Sequence, residues 1–402
     1  MRRILLLLPT ATYRASDFLA AASALGVEVV VGSEHRQAMS RSMGDRAIVV
    51  PLHDVGRAVE SIDDLNARFP LDAVLAVDDQ GLLIASASSS RLGLRHNPYD
   101  AVAAARDKVI MRDRFASASI RQPGYRVVAS GGDVSAAASD LGFPCVVKPV
   151  SRSASQGVIR VDDAEQARSA GARVRALLGS PQDSLLVEQF VPGEEVAVEG
   201  LLVSGRLEVL AVFDKPDPLN GPFFEETIYV TPSRQDPTIL ANVEKVAADA
   251  AVALGLREGP VHIELRIGRD GLITVLEVAA RSIGGLCSRA LRFGAGVSLE
   301  ELIIRHALEL PLNDLSRETQ ASGVMMLPIR APGVLEGVHG QDRARAVDGV
   351  VGLTITIAPG KTLTPLPEGD RYLGFIFARG PTPAFVERAL RRAEACLDVR
   401  LR

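Results

Sequence analysis

The sequence contains few cysteines and lacks any long run of basic residues. Its three cysteines, Cys145, Cys287 and Cys396, are far apart, odd in number and without zinc-type spacing, which argues against a disulfide framework or structural zinc. A reducing, cytoplasmic environment fits this composition. The net charge of -4 argues against nucleic acid or an anionic membrane as the main partner. The expected partners are therefore small molecules.

The sequence also lacks a long apolar segment. The apolar stretch at the N-terminus, Ile4 to Leu8, is followed by a proline and a polar segment, and it is shorter than an export signal. We therefore expect a buried first strand. No GxGxxG motif follows this strand, so a nicotinamide-binding domain is not supported. No transmembrane segment, internal repeat or low-complexity tract is found.

The pattern of the first hundred residues predicts a layer of helices on a parallel sheet. An alanine-rich helical segment at 16–25 alternates with strand-like segments at 26–31, 47–50 and 73–77, which is typical of α/β layers. Asp78 and Asp79 directly follow the last of these strands. Such positions often carry ligand contacts, although the cap of a helix is the simpler interpretation.

The rest of the chain divides into two further units. With 402 residues, 47% of them hydrophobic, the chain exceeds a single small core. A boundary near residues 96–100 precedes one long helix that contains Asp107 and Lys108 and ends near Ser119. Beyond about residue 311, a third, mostly β unit is predicted by strand-like segments and a terminal helix, at 323–328, 352–357, 371–378 and 383–396.

Lys148 ends a short apolar strand, where an ammonium group needs an anion or a carboxylate as its partner. The segment 150–157 that follows is rich in serine and ends with glycine. Such a loop offers backbone N–H groups to phosphates, although most serine- and glycine-rich stretches are ordinary turns. Together the lysine and the loop indicate a candidate phosphate site.

A second nucleotide signal lies at residues 185–199. Glu188 ends one apolar strand and Glu195 begins another across a Pro-Gly corner. The backbone of Gln189 to Val191 is placed to read an adenine edge, while Glu195 accepts hydrogen bonds from ribose hydroxyls. The alternative is a β-hairpin with solvated glutamates.

Two apolar segments near the centre, 259–267 and 272–281, each carry one glutamate, Glu264 and Glu277. The Gly-Arg-Asp-Gly sequence between them predicts an antiparallel hairpin. With a loop of two or four residues, Glu264 lies opposite Val275, and the two glutamates are diagonal neighbours on one face, roughly 7–8 Å apart. They would then hold one hard cation. An odd-length loop or a bulge would separate them, and the alternative is pairing with nearby arginines.

These residues together resemble the ATP-grasp superfamily, and within it the L-amino-acid ligase branch, which makes dipeptides or related amides. The motifs that carry the resemblance are Lys108, Val146–Lys148, Ser151–Gly157, Glu188–Glu195, Gly259–Glu264 and Glu277–Gly285. The resemblance implies an α/β (α+β) fold of three units. These are an N-terminal Rossmann-like pre-ATP-grasp domain at 1–100, a two-lobed ATP-grasp domain at 101–312 with a small lobe at 122–195, and a ligase-type C-terminal domain at 313–402.

The resemblance also implies roles for individual residues. The residues that would bind ATP contact its phosphates (Lys108, Lys148 and the loop with Ser151, Ser155 and Gly157), line its adenosine pocket (Glu188, Phe190, Val191 and Glu195) or approach the transferred phosphoryl group (Lys215). Glu264 and Glu277 would bind magnesium, or manganese in its place. Many family members have asparagine where this chain has Ala279, so the number of tightly held metal ions is open.

The implied reaction is formation of an amide from a carboxylate and an amine, both expected to be small molecules such as amino acids. ATP first phosphorylates the carboxylate, and the amine then attacks the acylphosphate. Arg281 and the backbone of Gly284 are the candidates for stabilising the oxyanion, and the alternative for Arg281 is a salt bridge to Glu277. Gly285 should leave a roomier acyl pocket, and His262 is a minor candidate for orienting Glu264 or contacting substrate.

Two other functions stay open at this point. One is the same ATP chemistry with a different acceptor, as in carboxylases and purine-pathway ligases. The other is a nucleotide-binding regulator without turnover. The presence of Glu264, Glu277 and Arg281 favours an active enzyme. A homodimer would be an ordinary assembly for such an enzyme.

Overall fold

The computed structural model describes residues 1–10, 12–35, 47–179, 183–312 and 314–402. Its N-terminal layer is a parallel sheet, as the sequence predicted, and its four strands have the order β3-β2-β1-β4. The strands are β1 Arg3–Leu7, β2 Glu28–Ser33, β3 Ala47–Val49 and β4 Ala73–Ala76. The first strand is apolar throughout because both faces are covered, with Ile4 and Leu6 in one core cluster and Leu5 and Leu7 in another.

The helices of this layer are Ala15–Ala24, Val55–Arg68 and Leu82–Arg91. The single long helix expected around Lys108 is instead two helices, Tyr99–Arg106 and Lys108–Ser117. Asp107 adopts an extended backbone between them, and its carboxylate accepts hydrogen bonds from Val109 N and Ile110 N. This N-cap makes Lys108 the first residue of the second helix.

A small antiparallel sheet follows in the order β5-β8-β6-β7. Its strands are β5 Tyr125–Val128, β6 Cys145–Pro149, β7 Ile159–Val161 and β8 Leu185–Gln189. The helices Val134–Leu141 and Ala164–Leu178 cover it, and each begins at an aspartate whose carboxylate accepts from the first turn. In this register Lys148 lies opposite Leu186 and Glu188 lies opposite Val146, so Lys148 and Glu188 are diagonal neighbours on one face of the sheet.

The large sheet is antiparallel and has the order β13-β12-β9-β10-β11-β14-β18-β16. Its strands are β9 Glu194–Val203, β10 Arg206–Asp214, β11 Ile228–Thr231, β12 Gly259–Ile267, β13 Ile273–Ala279, β14 Ala321–Leu327, β16 Val350–Ile355 and β18 Gly374–Gly380. Strands of the expected third unit thus continue the sheet of the second. Asn313, the first residue expected in the third unit, lies outside the described residues.

The two faces of the large sheet pack against different partners. Ala197 and Phe213 share a core cluster with the N-terminal layer and with helix Leu299–Ala307. Val196 and Val198 point the other way, toward helix Pro237–Ala253. This alternation follows from the two-residue period of a strand, and it fixes the sheet between the layers that form the site.

The remaining elements complete the C-terminal region. They are the sheet β17-β15-β19, with β15 Gly333–His339, β17 Thr362–Leu363 and β19 Asp398–Leu401, and the helices Gln341–Arg345 and Pro383–Glu394. A 3-10 turn, Asp79–Gly81, follows β4 in the N-terminal layer, and another, Cys287–Ala290, follows β13. Among the described residues, no helix is both long and apolar enough to cross a membrane.

Candidate active site

A cleft of about 370 Å³ lies where the N-terminal layer, the small sheet and the large sheet meet. Its lining includes most of the predicted site residues, namely Lys108, Lys148, Ser155, Glu188, Phe190, Val191, Glu195, Glu264, Glu277, Arg281 and Gly284. Ser151, Gly157 and Lys215 lie outside the lining. Residues as far apart in the chain as Lys108 and Gly284 therefore meet in one concave site, as expected of a ligand-binding cleft.

Glu264 and Glu277 lie directly opposite each other on β12 and β13, so the predicted register, with Glu264 opposite Val275, is wrong. The first paired residues are Ile267 and Ile273, which leaves an odd-length loop, and a bulge then shifts the register beyond Leu265. Each irregularity moves the pairing by one residue. Because two such shifts restore the two-residue period, both carboxylates still share one face of the sheet.

The surroundings of this carboxylate pair are crowded with negative charge. Burial, together with the charges of Glu226, Glu195 and Glu277, raises the pKa of Glu264 to about 8 against the opposing effect of Lys215. Carboxylates in such a position gain from any cation that replaces the proton. The donor set on β12 and β13 therefore fits a hard divalent cation.

Lys215 occupies the centre of a second carboxylate group. Its ammonium lies 2.7 Å from Glu195 and 3.6 Å from Glu264, and it also donates to Glu226. One oxygen from each of these three glutamates lies within 4.8 Å of the others. Although burial alone would lower the pKa of Lys215, the carboxylates raise it well above its usual value. The ammonium is thus held as a fixed internal cation.

Glu195, which is predicted to face the ribose of ATP, has two cationic partners within the protein. Glu195 accepts hydrogen bonds from both Lys215 Nζ and Arg266 Nε, at 2.7 and 2.9 Å. The Glu195 carboxylate therefore pairs with two buried cations at the position that is expected to face ribose. Glu226 joins this cluster by accepting hydrogen bonds from Lys215 and from Tyr229 Oη.

Lys148 has the partner that its strand-end position predicted, since its Nζ lies 2.6 Å from Glu188. Glu188 also accepts from Arg112 Nε at 2.7 Å, and all three side chains are buried. These two cations hold the pKa of Glu188 at about 2, although burial acts in the opposite direction. Glu188 is therefore an internal counter-ion. With two cations to one anion, the group leaves a net positive charge in the cleft.

Arg112 was missed by reading the sequence. It lies four residues after Lys108 on helix Lys108–Ser117, hence on the same helix face, and this spacing was the available signal. Its Nη2 donates to the carbonyl of Leu276, the unpaired residue of the bulge, at 2.6 Å. Arg112 thereby connects the phosphate-side cations to the strand that carries Glu277.

Lys108 and the serine-rich loop are in direct contact with each other. Lys108 Nζ donates to Arg152 O at 2.8 Å and lies 3.2 Å from Glu277. The loop closes at Gly157, whose positive φ of 74° suits glycine and whose N–H donates to Pro367 O at 2.9 Å. The loop is thus tied to the C-terminal region as well as to the lysine.

Phe190 forms the aromatic part of the predicted adenosine edge. The guanidinium groups of Arg160 and Arg266 lie 4.5 and 5.1 Å from its ring centre. Two backbone groups beside the ring have protein partners, since Phe190 N donates to Pro144 O and Val191 O accepts from Arg266. The reading of an adenine edge by the backbone of Gln189 to Val191 stays a prediction.

Arg281 pairs with Asp79 instead of Glu277, with 2.9 Å between Nε and Oδ1. Its Nη1 donates to Ser282 O at 3.1 Å, and Gly284 lies beside it. Asp79 comes from the turn after β4, so the strand-end position singled out in the sequence does carry a contact in the cleft. The carboxylate and the desolvated guanidinium stabilise each other's charge, and the pKa of Arg281 is raised.

Gly285 and His262 have structural partners. A Cβ added at Gly285 would lie 2.8 Å from Phe375 Cε1, so this glycine makes room for a ring. Gly285 also lines the cleft, and the expectation of a roomier acyl pocket stays a prediction. His262 Nδ1 lies 3.1 Å from Glu199, while its Nε2 lies 3.8 Å from Glu264. Burial lowers the pKa of His262. The neutral ring therefore lies between a structural carboxylate and a candidate metal ligand.

Three family descriptions match successive parts of the chain. They are an ATP-grasp N-terminal domain at residues 19–96, an ATP-grasp domain at 141–290 and an L-amino acid ligase C-terminal domain 2 at 325–402. The cleft described above is formed largely by the middle match, with contributions from the other two. All three matches belong to one kind of enzyme architecture.

Individual proteins agree with these matches. The chain is 26% identical over 266 residues to an alanine–anticapsin ligase of Bacillus subtilis strain 168, which spans 61% of this chain and only 56% of that relative. It is 31% identical over 314 residues to a D-alanine–D-alanine ligase of Gloeobacter violaceus, covering 69% of this chain and 97% of the relative. The solved structure of an L-amino acid ligase from Bacillus licheniformis has the same fold, with a TM-score of 0.83, 24% identity and coverage of 100% and 99%.

Proposed function

The chain belongs to the ATP-grasp superfamily, and we propose that it is an ATP-dependent carboxylate–amine ligase that forms an amide bond through an acylphosphate. The observation that carries the proposal is the composition of the cleft. Two opposed carboxylates, Glu264 and Glu277, share it with the cations Lys108, Lys148 and Arg281. The match to an L-amino acid ligase C-terminal domain supports this branch of the superfamily. The proposed domains are residues 1–100, 101–312 and 313–402.

ATP would bind between the small and large sheets. Lys148 and Lys108 contact its phosphates, and the positive charge left by the Arg112–Glu188–Lys148 group attracts them. The serine-rich loop with Ser151, Ser155 and Gly157 covers the phosphates. Phe190 and Val191 line the adenosine pocket together with Glu195, whereas Glu188 acts there through Lys148.

Glu264 and Glu277 would hold magnesium, or manganese in its place, because two opposed carboxylates beside a phosphate site match the oxygen preference of these ions. The metal supplies neutralisation of phosphate charge. Lys215 helps to hold the Glu264 carboxylate in place, since its ammonium lies 3.6 Å from that carboxylate. Ala279, in place of the common asparagine, contributes no ligand.

The chemistry proceeds in two displacements. An oxygen of the substrate carboxylate attacks the γ-phosphorus of ATP, the bond to the β-phosphate oxygen breaks, and ADP leaves. The amine nitrogen then attacks the acyl carbon, phosphate leaves with the C–O bond electrons, and the amine loses a proton. Arg281 and the N–H of Gly284 stabilise the oxyanion that forms during the second displacement. Amino acids are the proposed substrates because the similar ligases are named for them.

The test is phosphate release from ATP and Mg²⁺ with pooled proteinogenic L-amino acids, with products resolved by mass. We expect an amide product that disappears in Glu277→Ala. Glu208→Ala is the matched control, since Glu208 pairs with the exposed Arg206 on β10 away from the cleft, and this variant should retain turnover.

Phosphate release that needs bicarbonate or another carboxylate would instead indicate a carboxylase or a purine-pathway type of ligase. ATP binding without any turnover would indicate a regulator. The cytoplasmic location and the homodimer stay predictions.

A further inference from the structure

The contact between Arg281 and Asp79 leaves one guanidinium nitrogen available. Nε donates to Asp79 and Nη1 donates to Ser282 O, whereas Nη2 has no hydrogen-bond partner among the described residues. The guanidinium lines the cleft. A planar group fixed through two of its nitrogens presents the third in a defined direction.

Asp79 is suited to this contact by its position. It begins the 3-10 turn Asp79–Gly81, directly after the N-terminal sheet. Burial raises the pKa of Asp79, but the charges of Arg281, Arg106 and Lys108 outweigh burial and hold it below its usual value. The carboxylate is therefore ionised in the cleft and provides a full countercharge to Arg281.

A second contact from the same layer holds the next residue. Arg14, only 1% exposed, donates from Nη2 to Ser282 Oγ at 2.6 Å and from Nη1 to Val77 O at 3.2 Å. The N-terminal layer thus forms hydrogen bonds with two consecutive residues, Arg281 and Ser282, of the segment that carries the proposed oxyanion donors. Their placement depends on a domain whose own strands contribute neither the metal ligands nor the phosphate-binding lysines.

We propose that Asp79 is the positioning residue for Arg281: its carboxylate fixes the plane of the guanidinium so that Nη2 faces the reacting acyl group. The inference rests on the proposed function, because it assigns Asp79 a part in the amide-forming displacement. The competing explanation is that the Asp79–Arg281 pair only joins two domains.

The chain offers a matched control for that competing explanation. Asp17 forms a bidentate ion pair with Arg289, with both distances 2.9 Å. This pair joins the same N-terminal layer to the same region of the chain, and its side chains are similarly half-buried. Neither Asp17 nor Arg289 lines the cleft. Asp17→Asn and Asp79→Asn therefore remove one inter-domain charge each, but only the second touches Arg281.

The experiment compares kcat and KM for the wild type, Asp79→Asn, Asp79→Glu and Asp17→Asn, using ATP, Mg²⁺ and pooled L-amino acids. Loss of a residue that orients a metal ligand typically costs about 10- to 100-fold, and we take the same range for a residue that orients a reacting guanidinium. We expect that loss in kcat for Asp79→Asn with the KM for ATP changed less than about twofold, partial recovery in Asp79→Glu, which keeps the charge, and no loss of kcat in Asp17→Asn. Equal kcat in the two asparagine variants would overturn the inference.

Crystal structures of the two asparagine variants separate this inference from the proposed function. We expect the Arg281 guanidinium to be displaced in Asp79→Asn and unchanged in Asp17→Asn. An Arg281 that keeps its position without the Asp79 charge contradicts the inference even if no amide-forming substrate is found. Absence of amide product from the wild type contradicts the proposed function alone.

Discussion

Arg112 donates a hydrogen bond to Glu188 across 2.7 Å in the interior between the helix that begins at Lys108 and the small sheet. The pair is buried on both sides, with the two side chains 1% and 5% exposed. A buried carboxylate that is paired in this way contributes to stability only while it is ionised. The contact therefore makes stability depend on pH in a defined direction.

Glu188→Gln should destabilise the protein most at neutral pH. The pKa of Glu188 falls from an ordinary 4.5 to about 2 in the folded protein, so its stabilisation is complete above about pH 4.5 and is lost as the pH falls toward 2. Removing one partner of a buried pair costs roughly 3–5 kcal/mol. Urea denaturation of both proteins from pH 7 to pH 3 should show this difference at pH 7 and a progressively smaller difference in acid.

The control for this prediction is Glu208→Gln, which neutralises a glutamate paired with the exposed Arg206. Exposed pairs contribute about 0–1 kcal/mol, so its effect should be small at every pH. A loss in Glu188→Gln that stays constant between pH 7 and pH 3 would show that packing, and not charge, is what the variant removes.

Gly285→Ala should destabilise the segment that follows Arg281. Gly285 has φ of +59°, and a Cβ there would lie 2.8 Å from Phe375. The left-handed backbone costs a non-glycine residue about 1–2 kcal/mol, and overpacking adds about 1–3 kcal/mol. Chemical denaturation of Gly285→Ala is the measurement. Gly284→Ala is its stability control, because the nearest atom to a Cβ at 284 is Arg281 Nη1 at 3.9 Å.

A double-mutant cycle with Phe375→Leu separates the two causes. If the ring is the obstacle, the two substitutions together should cost less than the sum of their separate effects. Strict additivity would assign the whole loss to the backbone conformation of residue 285.

The local features of the fold were predictable from the sequence, whereas the contacts between distant segments were not. The parallel N-terminal layer follows from apolar strands that alternate with helices, and the need of Lys148 for a partner follows from its position at the end of a buried strand. By contrast, the pairing of Asp79 with Arg281 joins residues 202 positions apart. No local pattern specifies such a contact, because it depends on how the layers dock.

The hairpin of Glu264 and Glu277 shows why a register is hard to predict. The parity of the strand predicted that both carboxylates share one face, which is correct, but two irregularities of one residue each placed Glu264 opposite Glu277. The bulge is held by the bond from Arg112 to Leu276 O, which is a tertiary contact. The split at Asp107 has a local cause, since an aspartate two or three residues before free N–H groups is a recognisable cap.

Glu368→Gln should loosen the serine-rich loop with little effect on global stability. Gly157 N and Gln156 Nε2 donate to the backbone of Pro367 and Glu368, and Arg173 holds the Glu368 carboxylate through two bonds of 2.6 and 3.0 Å. The ion pair is exposed, so its loss should cost less than about 1 kcal/mol. Hydrogen exchange should nevertheless become faster at residues 153–158, because the segment that anchors the loop is released.

Asp140→Asn provides the comparison for this prediction. Asp140 forms an exposed ion pair with Arg126 on the same small sheet, without contact to the loop. Its variant should leave exchange at 153–158 unchanged. Equal exchange rates in the wild type and Glu368→Gln would mean that the backbone bonds to Pro367 and Glu368 hold the loop without the arginine.

Lys215→Met should destabilise the protein, because it removes the ammonium group from the cluster that Lys215 forms with three glutamates. Without the ammonium, Glu195, Glu226 and Glu264 keep carboxylate oxygens within 4.8 Å of one another. Much of the charge that offsets their repulsion is then lost, although Arg266 still pairs with Glu195. We expect a lower melting temperature at pH 8 and partial recovery as the pH falls and Glu264, whose pKa is raised, takes up a proton. We also expect a larger stabilisation by millimolar Ca²⁺ than in the wild type, because Ca²⁺ accepts several oxygen ligands in flexible geometry. Thermal melts with and without Ca²⁺ measure both effects.

The double variant Lys215→Met/Glu226→Gln removes one negative charge from the group of three glutamates. It should be more stable at pH 8 than the single variant and less responsive to Ca²⁺. If the single and double variants respond to Ca²⁺ equally, the added cation is binding elsewhere, and the three glutamates do not act as one group.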